Sequence, residues 1–370
     1  MSPNYQTRRA KLRRALRKSD VELDSLIISG VANVRYLTGF TGDSSWLFLS
    51  STSCVLLSDT RYETQLADEC RDIDVEIRDA GRTINDLAAI VVAKAKSKYV
   101  GFEADHTTVT QHGALSEKIT TATLVATSDL VERLREVKDQ WELTQIRAAI
   151  EYAQRGINVV RSSLRSDQTE TEIRYLLEAA MRSFGAAGTG FEPIVGVGPT
   201  AALPHAHAGR RRVAEHPVLL IDWGASTDSG YRSDLTRVFI TGKPTKQMEL
   251  VYKTVLAAQQ AAIQAIRPGA KCADVDQIAR GLIARAGFGK YFGHGLGHGF
   301  GLEIHESLRV SPISEREFET GMVVTMEPGI YLPGKFGVRI EDDILVTADG
   351  NEVLSNLERE FDEAIVPILA

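Results

Sequence analysis

Three of the chain's eight histidines fall within twelve residues. They are His294, His298 and His305, in the run Tyr291-Phe292-Gly293-His294-Gly295-Leu296-Gly297-His298-Gly299-Phe300-Gly301-Leu302-Glu303-Ile304-His305-Glu306, with four glycines between the first and the last. Glycine permits positive φ and close backbone approach. Imidazole is the commonest neutral metal ligand and a ready proton carrier. The run therefore suits a metal or proton-transfer site on a tight loop, although a glycine-rich turn with surface histidines would read the same way. Four carboxylates have a matching context. Asp222 ends the apolar run Val218-Leu219-Leu220-Ile221, and Asp234 opens Leu235-Thr236-Arg237-Val238-Phe239. Glu327 follows Met322-Val323-Val324-Thr325-Met326, and Glu341 lies between Gly337-Val338-Arg339-Ile340 and Asp342-Asp343-Ile344-Leu345. Each acid sits in or at the end of a strand-like run, where an unpaired charge is costly. The pairs are 12 and 14 residues apart, each the span of a hairpin.

If the four acids converge, each pair of like charges about 4 Å apart repels by roughly 4 kcal/mol at an effective dielectric of 20. They could then stay ionised only beside cations. Two divalent metals bridged by carboxylates would share a water, lower its pKa and polarise a carbonyl. Four carboxylates and one imidazole are a hard, oxygen-rich set that favours Mn²⁺, with Co²⁺, Zn²⁺ or Fe²⁺ also suited. Spacing alone leaves open that these are turn or edge-strand acids in separate places.

The elements that must position these groups can be read in order. At 370 residues the chain calls for two domains. Leu26–Gly30, Trp46–Leu49 and Cys54–Ser58 read as strands, with residues 20 to 58 otherwise short connections. Tyr62–Cys70 and Thr83–Lys96 read as helices and Tyr99–Glu103 as a strand, giving an α/β N-terminal domain. Its His106 and His112 are isolated and read as structural or exposed, and the basic run at Arg8 to Arg14 reads as the solvated face of a first helix. The charged connector from Leu134 to Asp139 marks the boundary, with domains at 1–136 and 137–370. Beyond it, Trp141–Leu164 has apolar residues at a period near 3.6, and Thr169 with Glu172 resembles a capping box for a helix to Phe184. Strands at Ile194–Val197 and Val218–Asp222 follow, then helices at Gln247–Ile266 and Asp274–Ala286. The order helix–hairpin–helix is read in each half, with acids on each hairpin, which suggests a pseudo-twofold repeat.

Composition narrows the function. A net charge of −6 and a pI near 5.8 argue against broad nucleic-acid binding. Cys54, Cys70 and Cys272 are odd in number and scattered, so no disulfide framework is expected. The charged N-terminus lacks the apolar core of a signal peptide, and no apolar run is long enough to span a membrane. A cytoplasmic protein without membrane partners is the expectation.

The segments IDWG, GYRSDLTRVF, HGLGHGFGLEIHE, TMEPGIY and GVRIEDDILV resemble, in order, the motifs of the pita-bread metallopeptidases. The resemblance is to the branch of aminopeptidase P and prolidase, which cleave Xaa-Pro bonds, and it covers about residues 140 to 370. More weakly, NVRYLTGF and SDTRY resemble the creatinase-type N-terminal domain. The resemblance implies an α/β domain followed by an α+β pita-bread domain. It implies Asp222, Asp234, His298, Glu327 and Glu341 as ligands of two divalent metals, with Asp234 and Glu341 bridging. His205 and His305 match substrate-pocket histidines and His294 a histidine that assists proton movement, while His207 and His216 match nothing. Arg309 falls where some prolidases hold a dipeptide's free carboxylate. The implied reaction is hydrolysis of Xaa-Pro bonds in peptides or dipeptides, with Glu327 as acid and base, by a homodimer. One departure stands out. The family commonly has one residue fewer between the first two aspartates, and the extra residue is placed in the turn Ser226-Thr227-Asp228-Ser229. A turn that failed to absorb it would point Asp234 to the wrong face.

Three rivals share the fold. Methionine aminopeptidase usually lacks the first domain. Creatinase does not keep the whole ligand set, and non-catalytic relatives have typically lost ligands.

Overall fold

A computed structural model describes residues 3–19 and 21–369, and the chain divides into two units, Met1–Arg135 and Glu136–Ala370. In the first unit, apolar and β-branched runs form a mixed six-stranded sheet. Its order is Asp74–Arg78, Cys54–Asp59, Trp46–Ser50, Ser25–Ile28, Tyr99–Glu103, Thr123–Thr127. Ser25–Ile28 is buried along its whole length, as a central strand covered on both faces must be. Helix Ile84–Ala95 starts at a capping box made by Thr83 and Asp86.

Two readings of this unit are corrected. Residues 20 to 58 hold more than strands and connections, because Val31–Thr38 is a helix. It is only eight residues long, and its N-terminal amides are held from a distance, since Glu103 accepts hydrogen bonds from Ser29 N and Gly30 N at 2.7 Å each. The basic run is not wholly solvated either. Within helix Tyr5–Arg17, Arg8 and Arg9 are buried. Arg8 lies over the Tyr36 ring at 4.4 Å, and Arg9 donates to the Leu37 carbonyl at 2.9 Å. A helix at Val109–Lys118, opened by Thr108 and Gln111, also went unread.

In the second unit each half is a helix pair followed by a hairpin, not a hairpin between helices as the sequence suggested. The first pair is Gln140–Ser163 and Glu170–Ser183, each opened by a capping box, Asp139 with Glu142 and Thr169 with Glu172. Its hairpin pairs Val218–Trp223 with Leu235–Ile240, antiparallel, with Asp222 opposite Thr236. The second pair is Lys246–Ala265 and Cys272–Arg285. Its hairpin pairs Val323–Met326 with Asp342–Val346, with Met326 opposite Asp342. Each hairpin face is pressed onto its helices. Trp223 is fully buried and donates from Nε1 to the Ala153 carbonyl at 2.9 Å. Gln259, also fully buried, donates to the Met326 and Ile340 carbonyls at 3.1 Å each.

The two hairpins are joined at the level of the acids. Glu341 N donates to Thr236 O at 3.2 Å. Arg237 reaches across to the Glu341 carbonyl at 2.6 Å and to Asp342 at 2.7 Å. In the turn of the first hairpin Thr227 N donates to Tyr231 O at 2.9 Å and Gly230 takes φ of 87°. The register of Asp222 against Thr236 is left whole, so Asp234, two residues before Thr236, shares its face.

Candidate metal centre

The side chains that end these strands meet in one place. One carboxylate oxygen each of Asp234 and Glu341 and one ring nitrogen of His298 lie within 4.8 Å of one another. His298 Nε2 is 3.5 Å from Asp234 Oδ2 and 3.4 Å from Glu327 Oε1. Asp222 joins through Arg339, whose guanidinium donates to Asp222 Oδ2. Asp222, Asp234, His298, Glu327 and Glu341, with His205, His294, His305 and Arg309, line one pocket of about 350 Å³. Two glycines allow the close packing. A Cβ on Gly224 would lie 1.8 Å from Ser233 O, and one on Gly297 would lie 1.9 Å from Thr325 O.

Protons can be placed from the hydrogen bonds. His298 Nδ1 faces the Gly299 carbonyl at 3.2 Å, and a carbonyl only accepts. Nδ1 therefore carries the proton and Nε2 presents a lone pair to two carboxylate oxygens. Burial and then His305 push His298 down to about 3, so the ring is neutral. Three groups thus turn acceptor atoms towards one another, and only a proton or a cation can join them. Asp222 Oδ1 is likewise buried without a hydrogen-bond partner. A cation is what such a set lacks, and the oxygen-rich donors with one imidazole fit a divalent ion.

Electrostatics agree. Burial first, then the charges of Glu341, Asp222 and Glu327, hold the Asp234 carboxyl well above the usual carboxylate range. Glu341 is held high by burial and then by Glu327 and Asp222. Burial pushes Glu327 up to about 8. For Asp222, burial outweighs the pull of Arg339 and the carboxyl is again raised. Without cations the acids favour protons, because one buried guanidinium cannot balance four carboxylates.

Several working residues escaped the sequence reading. Arg339 donates to Tyr331 Oη at 2.7 Å and to Thr236 Oγ1 at 3.1 Å, and Thr236 Oγ1 donates to Glu341 Oε2 at 2.6 Å. His294 Nδ1 donates to the Gly295 carbonyl at 2.7 Å, and its Nε2 lies 2.9 Å from Tyr331 Oη. Burial takes His294 down to about 4, so the neutral ring accepts from the Tyr331 hydroxyl. A chain of hydrogen bonds therefore runs from His294 through Tyr331 and Arg339 to Asp222. Arg339 and Tyr331 lie inside the segments GVRIEDDILV and TMEPGIY, but only the fold brings them into contact. Asp343 was also missed. It accepts from Asp234 N at 3.2 Å and so fixes the backbone of that acid.

Comparison with known proteins identifies the class. The profile of metallopeptidase family M24 matches residues 144–348, and that of the creatinase/prolidase N-terminal domain matches residues 8–137. The chain belongs to metallopeptidase family M24, with the pita-bread catalytic domain behind a creatinase-type first domain. It is an enzyme of the metallopeptidase class, and the family uses divalent metal. Among relatives, the uncharacterized peptidase YqhT of Bacillus subtilis (strain 168) is 35% identical over 339 residues, spanning 92% of this chain and 95% of the other. The structure of an Xaa-Pro dipeptidase from Bacillus anthracis superposes with a TM-score of 0.92 at 33% identity, covering 99% of this chain and 100% of that one. That of an X-Pro aminopeptidase from Thermotoga maritima MSB8 gives 0.86 at 34%, covering 96% and 100%. Among the described residues, no helix is long and apolar enough to cross a membrane.

Proposed function

We propose that this protein hydrolyses the Xaa-Pro bond of short peptides at a centre of two divalent metals, with Mn²⁺ the best-suited ion. The observation that carries the reading is the meeting of Asp234, Glu341 and Glu327 on the lone pair of His298, with Asp222 beside them. Asp222, Asp234, His298, Glu327 and Glu341 would hold the ions. Bound there, the cations would polarise the scissile carbonyl and acidify water. Specificity for proline is supported by structural relatives that are themselves Xaa-Pro peptidases.

Each remaining step falls to residues of this chain. Glu327, whose Oε1 lies 3.4 Å from His298 Nε2, takes a proton from water and passes it towards the leaving nitrogen. His305, whose ring packs edge-on against that of His298, offers an N–H to the developing oxyanion, and His205 lines the same pocket. His294 and Tyr331 hold a proton between Nε2 and Oη. We place the enzyme in the cytoplasm as a homodimer, a setting with which its three free cysteines agree. Assay of Ala-Pro, Met-Pro, Xaa-Pro-Xaa tripeptides and Met-Ala-Ser with Mn²⁺ tests the reading. Cleavage confined to the proline peptides is expected, and preference for Met-Ala-Ser would overturn it.

Arg309 decides substrate length. Its Cα is paired with that of His298 in a short ladder, and its side chain lines the pocket. A guanidinium there matches the free carboxylate of a dipeptide, which in a longer peptide is a neutral amide. Arg309→Ala is expected to weaken cleavage of Xaa-Pro dipeptides by about 1.5–3 kcal/mol, the scale of a hydrogen bond to a charged group, and to leave tripeptides nearly untouched. Values of kcat/KM for the two substrates check it. Equal losses on both would remove the clamp.

A further inference from the structure

His305 sits in a segment without regular structure. Residues 301–305 are neither helix nor strand, and the His305 ring packs edge-on against His298 with centroids 4.4 Å apart. Where that ring reaches therefore depends on what holds the backbone beside it. The next residue, Glu306, is buried, and both its carboxylate oxygens are engaged. Oε1 accepts from Leu302 N at 3.2 Å, closing the segment on itself. Oε2 accepts from Lys138 Nζ at 2.6 Å, in a pair whose side chains are 1% and 3% exposed. Ser307, one residue further on, donates its hydroxyl to Glu136 Oε1 at 2.8 Å. Glu136 also pairs with Arg316. The two gripping residues are themselves anchored, since Lys138 N donates to Gly321 O at 2.9 Å and Val137 bridges Met322, the residue that leads into the strand ending at Glu327.

A charged connector of this kind would ordinarily lie in water. Here a lysine and a glutamate are taken out of it, and a buried pair is weak evidence for stability, because desolvation can exceed the attraction gained. What such a pair does supply is a fixed position. We propose that Lys138 and Glu306, seconded by Glu136 and Ser307, are positioning residues that set His305 against the substrate carbonyl. The inference rests on the role given to His305 in the proposed function. The first residues of the catalytic unit thus act on the reaction without touching the substrate.

A double-mutant cycle with Lys138→Met and His305→Ala tests this, read on an Xaa-Pro dipeptide and by hydrogen exchange of the metal-loaded protein. Misplacing a catalytic group by about 1 Å can cost 10²-fold, so Lys138→Met is expected to lower kcat by about that factor with little change in KM. In the His305→Ala background the same change should cost almost nothing further, because contacts that act through one group are not additive. Amides of residues 301–305 should exchange faster in Lys138→Met, while those of Leu235–Ile240 keep their protection. Should Lys138→Met fail to fold, Lys138→Met with Glu306→Gln, which removes both charges of the pair, enters the same cycle. Multiplicative losses in both backgrounds, or unchanged exchange in the segment, would overturn the proposal and leave the role of His305 standing. Full activity of His305→Ala alone would overturn that role and this inference with it.

Discussion

Glu341→Gln is expected to lower turnover about 10³-fold while the protein remains folded, and Asp234→Asn to do the same. Each substitution keeps the shape of the side chain and removes one charge from the point where the two hairpins meet. Glutamine at 341 can still accept from Thr236 Oγ1, which now donates to Glu341 at 2.6 Å. What is lost is attraction for the cations, worth about 4 kcal/mol for unit charges 4 Å apart at an effective dielectric of 20, and each 1.36 kcal/mol is about tenfold in rate. The metal-free variants should behave in the opposite sense. Glu341 is held well above its ordinary pKa by burial, Glu327 and Asp222, so folding without metal must put a proton on it, whereas the amide of Glu341→Gln needs none and metal-free stability should rise. Metal content, melting temperature and kcat on one preparation give all three numbers. Near-parent turnover in either variant would mean that the ligands lie elsewhere.

The sequence disclosed most where charge contradicted its surroundings. Asp222, Asp234, Glu327 and Glu341 could be singled out because each interrupts or ends an apolar strand, and their order relative to the histidine run gave the family. The long helix Gln140–Ser163 was also readable, since Leu143, Ile146, Ala149, Ile150, Ala153 and Ile157 repeat at helical spacing and are all buried. What stayed hidden depended on partners distant in the chain. Val31–Thr38 is too short for periodicity to show, and its first amides are held by Glu103, some seventy residues away. Arg8 and Arg9 look solvated until Tyr36, Leu37 and Asp72 fold over them. Arg339 offers no local sign that it will bond Asp222, Thr236 and Tyr331 together, because those partners come from three different strands. Lys138 reads as linker for the same reason, its partner Glu306 being 168 positions on.

Metal should decide stability as well as activity, with a pH dependence whose sign follows from the site. Asp234, Glu341 and Glu327 have folded pKa values above their unfolded ones, Glu327 reaching about 8. Such groups hold protons in the folded chain that the unfolded chain has released, so the metal-free protein loses stability as pH rises. The histidines act at the other end. His298 and His294 are held down to about 3 and about 4, and they cost stability only as pH falls below the ordinary histidine value of about 6.5. Between about pH 6.5 and 8 the carboxyl groups therefore act alone, and metal-free stability is expected to fall by about 1.4 kcal/mol per pH unit for each carboxyl still protonated. Divalent cations bind the deprotonated acids, so their affinity rises over the same range. At a free metal concentration of about 1,000 Kd, one site adds about 4 kcal/mol of stability. Urea denaturation with Mn²⁺ and with chelator, at pH 6.5 and 8, should show the two curves drawing apart as pH rises. Curves that coincide at both values, with full activity in chelated and metal-free protein, would remove the metal centre from the account.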